Sequence, residues 1–151
     1  MADEHSERQL EQAILARVEP FLREMGGVFA FLGSQYRLEV GGNEYFLDLL
    51  LFHRRLRCLV AVELKVGEFF PEHVGKMQFY LAVLDDTVRL EGEGPSIGLL
   101  ICKSKTRTIV EYALKVATKP IGVATYRMVK ELPPELQSQL PPPEEFARLL
   151  D

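Results

Sequence analysis

Two stretches decide the fold: Tyr45-Phe-Leu-Asp-Leu-Leu-Leu-Phe52 and Cys58-Leu-Val-Ala-Val-Glu-Leu-Lys-Val66. Both have strand length and are rich in β-branched, aromatic and aliphatic residues. The link between them, His53-Arg-Arg-Leu-Arg57, is too short for a crossover helix, so the strands are expected to form an antiparallel hairpin. Three charges break these apolar runs: Asp48 in the first, Glu63 and Lys65 in the second. A lone carboxylate in a buried strand costs several kcal/mol unless something pairs with it, so three charges in two neighbouring strands require one shared explanation.

Hairpin geometry offers it. A symmetrical closure sets 53 opposite 58 and 54 opposite 57, and the same register sets Asp48 opposite Glu63. Opposed side chains share a face with Cβ atoms about 4.5–5.5 Å apart, and Lys65, two residues on, shares that face. A slip of one residue would separate the carboxylates. Two carboxylates this close repel unless one is protonated or a cation intervenes. Mg²⁺ or Mn²⁺ suits an all-oxygen set, and Lys65 could hold a water or meet a phosphate. His5, His53 and His73 are too far apart in sequence to replace them. The residue types suit metal-assisted phosphodiester hydrolysis; a buried ion pair without chemistry accounts for them equally well.

Outward from the hairpin, residues 6–24 carry Leu10, Ile14, Val18, Phe21 and Leu22 at helical spacing, with Pro20 predicting a kink and Gly26-Gly27 ending the helix. Residues 28–32 and 35–40 read as strand, and Gly41-Gly42-Asn43 as a turn. Beyond the hairpin, residues 71–84 read as a helix, 97–102 as a strand, 106–116 as a helix and 121–126 as a last strand. Short helical pieces and Pro141-Pro142-Pro143 follow. The order predicts an α/β (α+β) fold: a mixed central sheet flanked by helices, with an antiparallel hairpin at its centre. The expectation is one domain over 1–151, with 130–151 as a Pro-rich extension.

The 151 residues are 47% apolar and 26% charged, enough for a core without staples. Net charge is −4, which excludes a histone-like binder, so nucleic acid would need local basic patches or a cation. No apolar stretch approaches the ~20 residues of a membrane span. The acidic start, Met1-Ala-Asp-Glu, is unlike a secretory leader. Cys58 and Cys102 sit in apolar runs, as buried reduced thiols of a cytoplasmic protein would.

Asp48 and, fifteen positions on, Glu63-Leu-Lys65 resemble the PD-(D/E)XK nuclease signature, D…(D/E)-x-K on a central hairpin. The wider stretch is more specific: Phe29-Ala-Phe31, Gln35-Tyr-Arg-Leu38, Asp48-Leu-Leu50, Phe52 through Lys65, Gly75-Lys-Met-Gln-Phe-Tyr80 and Pro95-Ser-Ile-Gly98. It is similar to the YhcG-type nuclease domain of that superfamily from about Leu10 to the Pro-rich segment, although Leu47 stands where a proline is usual. The resemblance implies a restriction-endonuclease-like αβββαβ core that cuts nucleic acid, DNA in the first instance, with Mg²⁺ or Mn²⁺. Asp48 and Glu63 would bind metal and Lys65 would assist the attacking water. Glu19 is expected as the leading-helix carboxylate, with Glu11 its competitor, and Gln78 as a polar residue facing the site. Relatives of this type often carry a separate N-terminal domain.

Candidate nucleic-acid contacts are Gln35, Arg37, Lys76, Arg54 and Arg55 in the basic tip His53-Arg-Arg-Leu-Arg57, and Lys103 and Lys105. Tyr36, Phe46, Phe79 and Tyr80 read as core or interface, and Glu68 and Glu72 as surface. The competing function is a nuclease-like module that binds or assembles without cutting; a third is a hydrolase of small phosphoesters. Oligomeric state is open, a homodimer being the simplest way to cut both strands of a duplex.

Overall fold

Two tight turns set the register of the sheet. Gly41 and Gly42 adopt φ of +57° and +82° and join Val40 to Asn43, the two-residue hairpin turn that needs positive φ at both central positions. His53 and Cys58 close the second hairpin, with Arg57 at φ +56°. The computed structural model describes residues 28–65 and 67–125. They form β1 (Phe29–Val40), β2 (Asn43–His53), β3 (Cys58–Leu64), α1 (Pro71–Thr87), β4 (Ile97–Cys102), α2 (Arg107–Lys115) and β5 (Ile121–Thr125). The expected leading helix over 6–24, with Glu11 and Glu19, and the 130–151 extension lie outside the described residues.

The sheet order is β1-β2-β3-β4-β5. The first three strands pair antiparallel and β3, β4 and β5 pair parallel, with α1 and α2 as the crossovers, so the sheet is mixed as expected. The two strand pieces expected before the Gly-Gly turn are one strand, with a register shift between Phe31 and Gly33.

Leu50, Leu59, Ala61 and Leu100 pack on one face against Val74, Met77, Leu81 and Leu84 of α1 and Val110 and Ala113 of α2. Leu49, Leu51, Val60 and Val62, which alternate with that set, are buried as well. Strands buried on both faces read as unbroken apolar runs, which is why the hairpin looked so uniform in sequence. At Gly98 a Cβ would stand 2.5 Å from Met77 Cγ, so the close seating of α1 on β4 requires the glycine. Among the described residues, no helix is long and apolar enough to cross a membrane.

The basic tip is smaller than expected, because His53 is not part of its surface. His53 is 3% exposed, packs edge-on against Phe29 at 4.8 Å, and accepts the Leu56 N–H at Nδ1 (3.0 Å). Burial, with the charge of Arg55, holds its pKa below the ordinary 6.5, so the folded protein keeps it neutral. A lowered pKa gives stability that is present above the ordinary value and lost as pH falls through the folded one. The melting temperature of the wild type is therefore expected to drop below about pH 6.5 relative to His53→Gln, which has no titrating group there. Parallel pH profiles of the two proteins would rule this out.

Candidate active site

The observed β2–β3 register is the one that sets 48 against 63: Leu49 pairs with Val62, Leu50 with Ala61, Leu51 with Val60, Phe52 with Leu59 and His53 with Cys58. The ladder stops at Leu49 and Val62, and at the next position side chains replace the strand-to-strand bonds. The Asp48 N–H donates to Glu63 Oε2 at 2.8 Å, and the Leu64 N–H donates to Asp48 Oδ2 at 2.7 Å. Asp48 Oδ1 accepts a third bond from Gln35 Nε2 at 3.2 Å. Gln35 lies across from Asp48 in the β1–β2 register and reaches it from a backbone at φ +48°. Asp48 and Glu63 are 7% and 4% exposed, so the two carboxylates share one nearly dry pocket.

That proximity shifts the equilibrium of Glu63. Burial first, and then the charge of Asp48, push its pKa up to about 8, against the opposing pull of the Asp48 N–H and the Lys65 ammonium. Without a cation the pair therefore holds a proton near neutral pH. Tyr80, buried on α1 with its ring centroid 6.2 Å from that of Tyr45 on β2, has its phenol pKa raised by burial and by the charges of Glu63 and Asp48.

The donor set fits a hard divalent cation: two adjacent carboxylates, oxygens only, with a proton held where a second positive charge belongs. Asp48 and Glu63 are the residues that would hold it. Among the described residues no third Asp, Glu, His or Cys joins them.

Other expected residues fall elsewhere. Gln78 does not face the carboxylates. Its Oε1 accepts from the Thr118 N–H (2.7 Å), the Thr118 hydroxyl (3.0 Å) and the Lys119 N–H (3.2 Å), just before β5 begins. In a parallel β3–β4–β5 set, that is the end opposite to Glu63. Gln78 ties α1 to the loop before β5, as Asp85 does one helical face-repeat later by accepting from the Ser96 N–H and Lys119 Nζ. Gln78→Ala is accordingly expected to cost about 1 kcal/mol in urea unfolding and to leave metal binding at wild-type strength. Weakened metal binding in a folded variant would return Gln78 to the site.

Arg37 is neutralised on the surface by Glu39 and Glu44, and does not join Gln35 at the pocket. Arg54 and Arg55 stand at the far end of β3, about 17 Å from Glu63 at a rise of about 3.3 Å per residue. Lys103 and Lys105 follow β4 at the same end of the sheet as Glu63. Lys105 Nζ donates to the Val123 carbonyl (2.9 Å), and Lys103 is exposed. Lys76 stands over the Tyr80 ring, 5.7 Å from its centroid. Glu68 and Glu72 are exposed, as expected, and Cys58 and Cys102 are free and buried. Tyr80, read from the sequence as core or interface, is buried in the core cluster; Gln35, which donates to Asp48 Oδ1, lies where the sequence expected a nucleic-acid contact.

A mixed sheet that presents D…E-x-K across its antiparallel hairpin defines a PD-(D/E)XK nuclease domain. The chain belongs to the YhcG PDDEXK nuclease domain family, whose model matches residues 1–141. It is 40% identical over 135 residues to YhcG of Escherichia coli (strain K12), an alignment covering 89% of this chain and 36% of that protein. The chain thus spans about a third of the length of that curated relative. Among solved structures it is similar to a repair endonuclease from Pyrococcus abyssi, with a TM-score of 0.47 and 18% identity over 82% of this chain and 48% of that one. It is also similar to EndoMS in a double-stranded DNA complex, with a TM-score of 0.46 and 17% identity over 78% and 42%.

Proposed function

We propose that this domain hydrolyses phosphodiester bonds of nucleic acid, DNA in the first instance, with Mg²⁺ or Mn²⁺. The observation that carries the reading is the exchange between Asp48 and Glu63: each carboxylate is fixed by a backbone N–H of the other's strand, and the two lie side by side and buried. Fixed carboxylates keep their geometry as charge develops on a substrate, which is where electrostatic catalysis gains most. When bound, a hard divalent cation supplies Lewis-acid polarisation of a phosphoryl oxygen and eases deprotonation of water at neutral pH.

The chain's own residues do the rest. Leu64 N–H and Gln35 Nε2 hold the two oxygens of Asp48, so its carboxylate cannot rotate away. Lys65, close enough to pull on Glu63, presents an ammonium to the attacking water or to a phosphate oxygen. Glu19 remains the proposed leading-helix carboxylate. DNA is the substrate that the D…E-x-K resemblance implies, and a homodimer would let one such site cut each strand of a duplex. Cys58 and Cys102 are buried and free, an arrangement that fits the cytoplasmic setting we propose.

The test is a cleavage assay on single- and double-stranded DNA and RNA with Mg²⁺, Mn²⁺ and EDTA. Metal-dependent cutting that EDTA stops is expected. No cutting of any substrate with either metal would overturn the reading in favour of a silent binding module.

A further inference from the structure

One stripe of α1 borders the pocket and has no part in the D…E-x-K set. His73, Lys76 and Tyr80 recur at steps of three and four, so they share one side of the helix. Tyr80 anchors the far end of the stripe against the Asp48 end of β2, its ring centroid 6.2 Å from that of Tyr45, and α1 begins at Pro71, just beyond the Glu63–Lys65 end of β3. Lys76 Nζ is held over the Tyr80 ring at 5.7 Å and has no carboxylate partner among the described residues.

His73 is fixed by a reciprocal pair of bonds. Its N–H donates to the Phe70 carbonyl (3.0 Å), and the Phe70 N–H donates to its Nδ1 (3.2 Å). Edge-on contacts with Phe69 and Phe70, at 5.9 and 5.8 Å, hold the ring. An Nδ1 that accepts leaves the ring hydrogen on Nε2, so the outer edge of the imidazole is a donor. Burial, Lys65 and Lys76 together keep the ring below its ordinary pKa, and a neutral donor beside two ammonium groups avoids a third positive charge.

We propose that His73 and Lys76 form a phosphate-contacting wall of the site, which takes a backbone phosphate flanking the bond to be cut. The chemistry favours this use. Asp48 and Glu63 repel a polyanion, so a substrate needs compensating donors at the same pocket, and an ammonium with no carboxylate partner among the described residues, beside a fixed N–H donor, supplies them. The exposed arginines of the hairpin tip are too distant to do so. This inference rests on the nuclease reading for the identity of its ligand.

The test is anisotropy titration of a short fluorescein-labelled DNA duplex, in Ca²⁺ and in EDTA, over a range of salt. Lys76→Met keeps the stem packed on Tyr80 and removes the charge. It is expected to weaken binding about tenfold and to flatten the slope of log affinity against log salt by about 0.9, the signature of one lost phosphate contact. Lys76→Arg restores both. His73→Gln keeps an acceptor for the Phe70 N–H at the third helical position and is expected to weaken binding about threefold with an unchanged melting temperature. Wild-type affinity and slope in both Lys76→Met and His73→Gln would overturn the wall. If the wild type cuts DNA while these variants bind normally, only the wall fails. If the wild type cuts nothing but Lys76→Met still flattens the slope, the wall stands and the nuclease reading fails.

Discussion

Asp48→Asn and Glu63→Gln are each expected to lower metal-dependent DNA cleavage by on the order of 10³-fold while the protein still unfolds in one cooperative transition. The asymmetry between activity and stability follows from the pocket. Glu63 is buried, and its charge is opposed by burial and by Asp48, so its pKa stands at about 8. A neutral amide at 63 resembles the form the apo protein already prefers near pH 7, and its oxygen can still accept the Asp48 N–H. Glu63→Gln is therefore expected to melt no lower than the wild type without metal, and higher above pH 8. Asn at 48 can likewise accept the Leu64 N–H through its amide oxygen while losing the charge. Lys65→Met separates the roles further: both carboxylates remain, so metal binding persists, whereas cleavage falls at saturating metal and substrate. Single-turnover cleavage, calorimetric metal titration and thermal melts on the same preparations test all three. Near-normal cleavage by Glu63→Gln, or by Asp48→Asn, would reject the assignment.

The hairpin was legible in the sequence because its closure is so short. A four-residue turn between His53 and Cys58 leaves little freedom of register, and register alone sets Asp48 against Glu63. What the sequence could not show is how the strands part beyond Leu49 and Val62 so that carboxylates meet backbone N–H groups. Strict alternation fails there: Leu47 and Leu50, an odd number apart, both join the core cluster, and Gln35 takes a positive φ across from Asp48. Gln78 was misplaced because a helix's period says which residues share a side but not which neighbour that side meets: the Gln78 side chain turns to Thr118 and Lys119, away from the side that carries His73, Lys76 and Tyr80. The rotation of α1 about its own axis decides it, and that is a tertiary fact. Tyr80 in the same helix was legible, since an aromatic on an apolar stripe reads as core and Tyr80 is buried there. His53 was counted among surface cations because its neighbours are three arginines, and only the fold shows it turned inward under Leu56.

Metal affinity is expected to rise about tenfold per pH unit below pH 8 and to level off above it, because the cation must displace the proton on Glu63. The sign follows from the direction of the shift. A carboxyl whose folded pKa is raised gives stability that is full below its ordinary value, 4.5, and is lost as pH rises through about 8. Without metal this group therefore makes the fold progressively less stable between those limits. With saturating Mg²⁺ or Mn²⁺ the penalty is relieved, so the gain in melting temperature on adding a fixed concentration of metal is expected to widen across the same window. Calorimetric titration in two buffers of different ionisation enthalpy counts the protons directly. Close to one proton released per metal is expected at pH 6.5 and almost none at pH 9. Glu63→Gln, with nothing to release, is expected to show neither the proton nor the pH dependence. Metal binding by the wild type with no proton release at pH 6.5 would mean that Glu63 is already ionised there, and the electrostatic conflict between Asp48 and Glu63 would not be what draws the cation to this pocket.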